Sequence, residues 1–285
     1  LLLSSAHIAI VVNPFTKKRT TLNLLNQIIQ ELNSENISFS VFNQLWPSSF
    51  ETFSDIWIVG GNGTLNYFIN HHPNCLIPLS IFKGGTGNDF AWMLYGNISV
   101  KEQVRKVLEA EPKYVDAAKM NDQIFINCVG IGFDGEILAS SMNSIRFIGG
   151  HIGYLLAVIK KIFLFKEYYF TISAPSKQWQ QRLMLLMVTN SKRAGGGFYI
   201  APDAKINDGK LNLIMIQQLS ILKRLLYLPV IEKGKHLHLP FVVASEEEKI
   251  TIKAEKELAV QIDGELLYAQ QLEITILPKN FLFKY

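Results

Sequence analysis

The sequence predicts an α/β domain followed by a mostly antiparallel β domain. Three observations carry that reading. Strand, turn and helix patterns alternate over the first 112 residues. Strand patterns dominate after Lys113. Two glycine-rich turns, Gly60–Thr64 and Gly84–Asp89, each follow a short apolar run in the first part.

The elements follow in chain order. His7 to Val12 is a short apolar run closed by Asn13-Pro14, the pattern of a buried parallel strand ending in a turn. Leu22, Leu25, Ile28, Ile29 and Leu32 recur at helical spacing over Thr20–Leu32. Ile37–Phe42 alternates as a second strand and Ile56–Val59 is a third. The stretch between them is too short for a full crossover helix. A helix is expected from Leu65 to His71, a strand over Leu76–Phe82 and a helix over Val100–Glu109. Such a series builds an open sheet with right-handed crossovers.

Beyond Lys113, strands are expected at Tyr114–Lys119, Ile124–Val129, Phe170–Ser173, Leu183–Thr189 and Leu211–Gln217. Ile250–Ala254, Leu258–Ile262 and Glu273–Leu277 continue the series. Helices interrupt it near Phe147–Leu164 and Ser220–Glu232. Asn121-Asp122 and Asn207-Asp208-Gly209 are turn signals. The expected division is 1–112, with about 278–285 returning, and 113–277.

Composition narrows the function classes. The chain has 285 residues, of which 48% are hydrophobic and 18% charged, so it buries sizeable cores and is not disordered. A net charge of +4 suits anionic partners such as nucleotides or an acidic membrane surface. No basic stripe interleaved with aromatics is present, so nucleic acid is not an expected partner. Cys75 and Cys128 lack CxxC or Cys/His spacing, which argues against disulfides and zinc and for a cytoplasmic protein. The apolar stretch Ile145–Phe165 is broken by Arg146, Lys160 and Lys161, so it is not read as a span. A basic amphipathic helix of this kind either packs on a core or lies on an anionic membrane.

The two glycine turns carry the chemistry. Gly60, Gly61 and Gly63 let the backbone approach a ligand closely, and N–H groups at a helix start attract anions. Thr64 either caps the helix or hydrogen-bonds a phosphate. The second turn, Gly84-Gly85-Thr86-Gly87-Asn88-Asp89, repeats that logic at another strand end, where α/β sheets bind ligands. Lys83 beside it is read as a solvated surface lysine. Gly130-Ile131-Gly132-Phe133-Asp134-Gly135 fits a dinucleotide fingerprint, but no acidic strand end follows at ribose-binding spacing. Packing glycines explain it better.

In order along the chain, Gly60–Thr64, Gly85–Asp89, Gly130–Asp134, Gly195–Phe198, Ala201–Gly209, Gly234–His236 and Asp263–Glu265 resemble the diacylglycerol kinase catalytic-domain family of soluble lipid kinases. The resemblance implies an NAD-kinase-like α/β domain, a C-terminal β-sandwich and an active site in the cleft between. It implies that Asn13, Pro14, Gly60, Gly61, Asn62, Gly63, Thr64, Leu65 and Asn66 bind ATP, with Gly85, Thr86, Gly87, Asn88 and Asp89. It implies catalysis by Glu265 as base, with Asp263 supporting it or binding Mg²⁺. It implies a structural Mg²⁺ at Lys205, Asp208 and Lys210, through one carboxylate and two main-chain carbonyls.

The implied acceptor is a lipid at a membrane surface: diacylglycerol, phosphatidylglycerol or a sphingoid base. A homodimer is compatible with all of this. The chain departs from the family where Asn62 replaces the aspartate of the first turn, where Tyr67 replaces an acidic residue, and where Phe15-Thr16-Lys17-Lys18 follows Asn13-Pro14. Those changes remove two carboxylates from the phosphate region. They make a catalytically weak or inactive lipid- or nucleotide-binding relative the alternative reading.

Overall fold

A computed structural model describes residues 7–14, 19–144, 150–175 and 177–285. The chain divides into two compact units, Leu1–Val115 with Lys279–Tyr285, and Asp116–Pro278.

The first unit is a parallel α/β sheet. Its strands are β1 (His7–Val12), β2 (Ser38–Phe42), β3 (Asp55–Gly60) and β4 (Leu79–Lys83). They run in the order β2-β1-β3-β4, all parallel, and Phe283 near the chain's end pairs in parallel with Leu79. β3 is buried at every position, as expected of a central parallel strand covered on both faces. The helices are α1 (Arg19–Ser34), α2 (Asn62–His71), α3 (Asp89–Tyr95) and α4 (Val100–Glu109). α1 buries Thr21, Leu25, Ile28 and Leu32, one helical stripe.

Residues 43–54 join β2 to β3 without a helix. Aromatic packing covers the sheet there instead. The Phe50 ring lies 5.5 Å from Phe68 of α2 and 5.1 Å from His72, which caps that helix, while Trp46 donates its indole N–H to the Val12 carbonyl at 3.0 Å.

The second unit is β-rich. It contains β6 (Gln123–Phe125), β7 (Cys128–Gly132), β8 (Tyr168–Ala174), β9 (Lys177–Thr189), β10 (Leu211–Gln217), β11 (Val242–Glu247) and β12 (Lys249–Ile262). Two strands, β5 (Pro112–Met120) and β13 (Glu265–Lys284), cross the boundaries between units. The antiparallel order is β11-β10-β9-β7-β12-β13, with β8 against β9 and β12. Side chains alternate between two cores. Leu186 and Val188 enter one that closes on Leu213, Ile252, Val260 and Ile274. Leu185 and Met187 enter the other, covered by the helices α5 (Phe133–Ser144), α6 (Gly150–Leu164) and α7 (Ile221–Glu232).

Several elements differ from the sequence reading. α3, α5 and β11 are additional. α3 has only seven residues and α5 has little amphipathic contrast, so neither carries a strong periodic signal. Ile250–Ala254 and Leu258–Ile262 form one strand, interrupted by a register shift between Lys253 and Leu258. The expected strand Glu273–Leu277 is a segment of the 20-residue β13. Gly135 opens α5 against β12: a Cβ there would meet the Ala259 carbonyl oxygen at 2.1 Å. That close approach is the packing role expected for this glycine.

Candidate phosphate turns and carboxylate hairpin

β3 and β4 are adjacent and parallel, so the turns that follow them lie side by side. The two turns are bonded to each other. Asn62 donates its backbone N–H to the Gly87 carbonyl at 2.9 Å, and Gly84 donates to the Gly60 carbonyl at 2.9 Å. The Asn62 side-chain oxygen accepts from the Phe90 N–H at 3.3 Å, and Asn88 closes its own turn on Gly85 through bonds of 3.1 and 2.9 Å. Thr21 of α1 donates to the Gly84 carbonyl at 2.8 Å. Nothing in the motif pointed to Thr21, which reads as one polar residue on an apolar stripe.

Glycine is required by contact here. A Cβ on Gly85 would lie 2.4 Å from the Gly61 Cα, and one on Gly61 would lie 2.5 Å from the Gly87 carbonyl oxygen. Both obstacles are backbone, which cannot rotate aside as a side chain can.

The helix after the first turn begins earlier than expected. α2 starts at Asn62, with Gly61 as its cap, rather than at Leu65. Thr64 therefore sits in the first turn and is not the cap residue. It is buried, and its hydroxyl accepts from the Asn13 amide at 3.3 Å. Gly61 has no side chain with which to cap the first-turn N–H groups. Such groups at a helix start have no intrahelical acceptor and favour an anion.

The remaining expected nucleotide residues divide. Leu65 is fully buried in the core, and the Asn66 side-chain oxygen accepts from Asn70 at 3.3 Å. Pro14 lies in the exposed turn after β1, and Asp89 is buried as the first residue of α3. Thr86 is in the second turn, and residues 15–18 lie outside the described residues. Lys83 is not a solvated lysine, because its ammonium donates to the Gly96 carbonyl. Tyr67 presents an aromatic ring where the resemblance implies an acid. Its ring stacks on His71 at 3.8 Å and meets Trp46 at 5.3 Å.

The carboxylate hairpin belongs to the second unit. Asp263 and Gly264 form the two-residue connection between β12 and β13, with φ of +48° and +93°, and Ile262 pairs with Glu265 across it. Asx-Gly is the sequence such a turn favours. Asp263 is buried, and its carboxylate accepts from the backbone N–H groups of Ile126 at 2.8 Å and of Asn127 and Cys128 at 2.9 Å each. Both of its oxygens are thus engaged with backbone. Of the two supporting tasks, the geometry favours holding the turn over ligating an ion. Glu265 is exposed and is the first residue of β13 after the turn.

A buried polar network surrounds this hairpin, and sequence reasoning missed it. The Gln261 side-chain oxygen accepts from the Gly264 N–H at 2.9 Å, while its amide donates to the Cys128 sulfur at 3.1 Å. Asn127 donates to the Arg193 carbonyl at 3.0 Å and accepts from the Ser191 hydroxyl. Asn190 donates to the Asp116 and Ile126 carbonyls at 2.8 and 3.0 Å. The available signal was polar residues ending apolar strands, at Asn127 and at Asn190-Ser191. His236 is also buried, and desolvation lowers its pKa, which favours the neutral imidazole.

The Lys205–Lys210 turn is tied by Gly209, which donates its N–H to the buried Asp116 carboxylate at 2.7 Å. Asp208 accepts from the Lys210 N–H at 3.1 Å. Lys210 pairs with Glu248 at 2.9 Å, so its ammonium is directed away from any ligand role. One carboxylate and two main-chain carbonyls form an all-oxygen donor set, which fits a hard cation. The phosphate turns fit a protein-held cation less well. Asn62 contributes an amide, and its oxygen already serves Phe90. Among the described residues, no three His, Cys, Asp or Glu side chains converge on a metal position.

Residues 7–120 match the diacylglycerol kinase catalytic domain, and residues 127–282 match the YegS C-terminal NAD kinase beta sandwich-like domain. The diacylglycerol kinase of Staphylococcus carnosus is 22% identical over 285 residues, covering 96% of this chain and 90% of that protein. The diacylglycerol kinase of Bacillus subtilis is 22% identical, covering 90% and 88%. The crystal structure of a diacylglycerol kinase from Bacillus anthracis aligns with a TM-score of 0.72 at 21% identity, over 98% of this chain and 96% of that one. Yeast NADH kinase complexed with NADH aligns with a TM-score of 0.56 at 11% identity, over 98% and 82%.

Proposed function

The chain belongs to the diacylglycerol kinase family with a YegS-type C-terminal domain, and on that premise we propose that it transfers the γ-phosphate of ATP to a lipid hydroxyl. The observation that carries the proposal is the pair of interlocked glycine turns, with the uncapped start of α2 beside them. A triphosphate is the anion this arrangement suits. Gly63 and Thr64 contribute N–H groups at the helix start, and Asn13, Thr86 and Asp89 complete the polar surroundings.

In the reaction, Glu265 accepts the proton of the lipid hydroxyl. The hydroxyl oxygen forms a bond to the γ-phosphorus, and the bond from that phosphorus to the β,γ-bridging oxygen breaks, releasing ADP. Asp263 and Gln261 hold the hairpin that bears Glu265. No step is assigned to a metal held by the phosphate turns. Mg²⁺ bound at Lys205, Asp208 and Lys210 would brace a turn remote in sequence from both motifs. Diacylglycerol, phosphatidylglycerol and sphingoid bases are the acceptors to compare, in a cytoplasmic enzyme that meets them at a membrane surface.

Asn62 and Tyr67 favour the second reading, a weakly active or inactive relative, because neither brings charge to a Mg²⁺–triphosphate. Incubation with Mg²⁺, γ-labelled ATP and a panel of these lipids separates the two. Labelled lipid is expected, and Asn62→Asp is expected to lower the Mg²⁺ concentration needed by about tenfold, the effect of one added carboxylate ligand. Aspartate can accept from Phe90 N–H as asparagine does, so the turn is preserved. No labelled lipid from either protein would replace the kinase reading with the second one.

A further inference from the structure

Two glycine turns are borne by β3, α2, β4 and α3. Among the described residues of those elements, Tyr67 is the one large hydrophobic residue that is exposed, with 48% of it open to solvent. Core packing does not account for it. Leu65, Phe68 and Ile69 are fully buried and already fill the core side of α2.

The Tyr67 ring is held from two sides. His71 follows it by one helical turn. Its ring stacks on Tyr67 at 3.8 Å and 26°, and its Nδ1 donates to the Tyr67 carbonyl at 2.8 Å. Trp46 stands across Tyr67 at 5.3 Å and 78°, so the two rings form a corner. Trp46 is itself fixed by the 3.0 Å bond from its indole N–H to the Val12 carbonyl. Both rings are thus preorganised, and little side-chain freedom is left to lose on binding a ligand.

This corner adjoins the phosphate turns. Val12 precedes Asn13, whose amide donates to the Thr64 hydroxyl at 3.3 Å. Thr64 lies on α2 one turn before Tyr67, a rise of about 4.5 Å. Helical side chains lean toward the N-terminus, so Tyr67 covers the turn that carries Thr64. His71 backs the ring from the C-terminal side of the helix, which leaves the other side of the ring toward the glycine turns.

The surroundings carry no charge. Residues 43–50 and 61–72 contain no Asp, Glu, Lys or Arg. A flat, neutral group with a π face suits such a corner. The group joined to a triphosphate through ribose is a base of that kind. We infer that Tyr67 and Trp46 form a stacking corner for the purine base of a nucleoside triphosphate, and that the site takes adenine and guanine alike. Stacking reads the face that every base has, whereas strong discrimination needs hydrogen bonds to the edge. The inference rests on the nucleotide reading of the phosphate turns, and it holds whether or not phosphate is then transferred.

Calorimetric titration with Mg²⁺ and either ATP, GTP or tripolyphosphate tests this, since tripolyphosphate has the phosphates without the base. Wild type is expected to bind ATP and GTP within about fivefold of each other, and both about fivefold or more tighter than tripolyphosphate. Tyr67→Ala is expected to weaken ATP and GTP by about fivefold or more and to leave tripolyphosphate unchanged. Tyr67→Phe keeps the ring and is expected to bind all three as wild type does. Tyr67 is exposed, so unchanged thermal unfolding verifies that both variants fold. Tyr67→Ala that binds ATP as wild type does, or that loses ATP and tripolyphosphate equally, would overturn the inference. So would ATP bound about a hundredfold more tightly than GTP, the mark of an edge-reading site. Wild type that binds tripolyphosphate as tightly as ATP would remove the stacking corner and leave the phosphate site standing. Wild type that binds neither would remove the nucleotide reading and the inference together.

Discussion

Gly85→Ala is expected to abolish ATP binding at ordinary concentrations, weakening it by about a hundredfold or more. The new Cβ would lie 2.4 Å from the Gly61 Cα and 2.6 Å from its nitrogen. Neither atom can move without separating the two turns and breaking the bond from Asn62 to Gly87. Overpacking of this kind costs about 1–3 kcal/mol, and a misplacement of about 1 Å at a binding centre is worth about two orders of magnitude. Calorimetric titration with ATP reads the affinity, and thermal unfolding reads the stability of the fold. Gly87→Ala is the control, because its Cβ would meet only the Asn62 amide, at 3.9 Å. It should bind ATP within a fewfold of wild type. The motif treats the two glycines alike, whereas the contacts separate them. Equal loss at both positions would show that interlocking of the turns is not what the site depends on.

Asp263→Ala is expected to destabilise the protein by about 3–5 kcal/mol. It leaves the N–H groups of Ile126, Asn127 and Cys128 without their carboxylate, and buried unpaired donors cost about 1–3 kcal/mol each. Alanine also tolerates the left-handed backbone of φ +48° less well than aspartate does. Asp263→Asn keeps one acceptor oxygen and a suitable turn residue, so about half the loss is expected. Urea unfolding of the three proteins reads the order directly. Activity should fall with stability, because the hairpin carrying Glu265 loses its anchor. An Asp263→Ala protein as stable as wild type, with only the chemistry lost, would make Asp263 a reacting group.

Much of this was legible where one local pattern determines one structure. The apolar run Ile56–Val59 is a buried strand because nothing in it suits solvent on either face. Asp263-Gly264 is a hairpin turn because both residues accept positive φ. The order of glycine motifs pointed to the family. Other features depend on partners distant in sequence. Nothing in Gly61 or Gly85 alone says that each is the obstacle to the other's side chain. Asn62 reads as a lost carboxylate, yet its oxygen also holds the start of α3. Gln261 looks like one polar residue in a strand until its bonds to Gly264 and Cys128 are seen. Lys83 reads as solvated because the Gly96 carbonyl that accepts from it comes thirteen residues later.

The central claim is a phosphoryl transfer to lipid with Glu265 as base. Its most direct measurement is transfer of label from γ-labelled ATP to lipid by wild type and Glu265→Gln, with ATP binding and thermal unfolding recorded alongside. Glu265 is exposed, so the substitution should change stability by no more than about 0.5 kcal/mol. The expected result is labelled lipid from wild type, with unchanged ATP affinity and transfer lowered about 10²- to 10⁴-fold in Glu265→Gln. Wild type that labels none of the lipids, or Glu265→Gln that labels them at the wild-type rate, would contradict it.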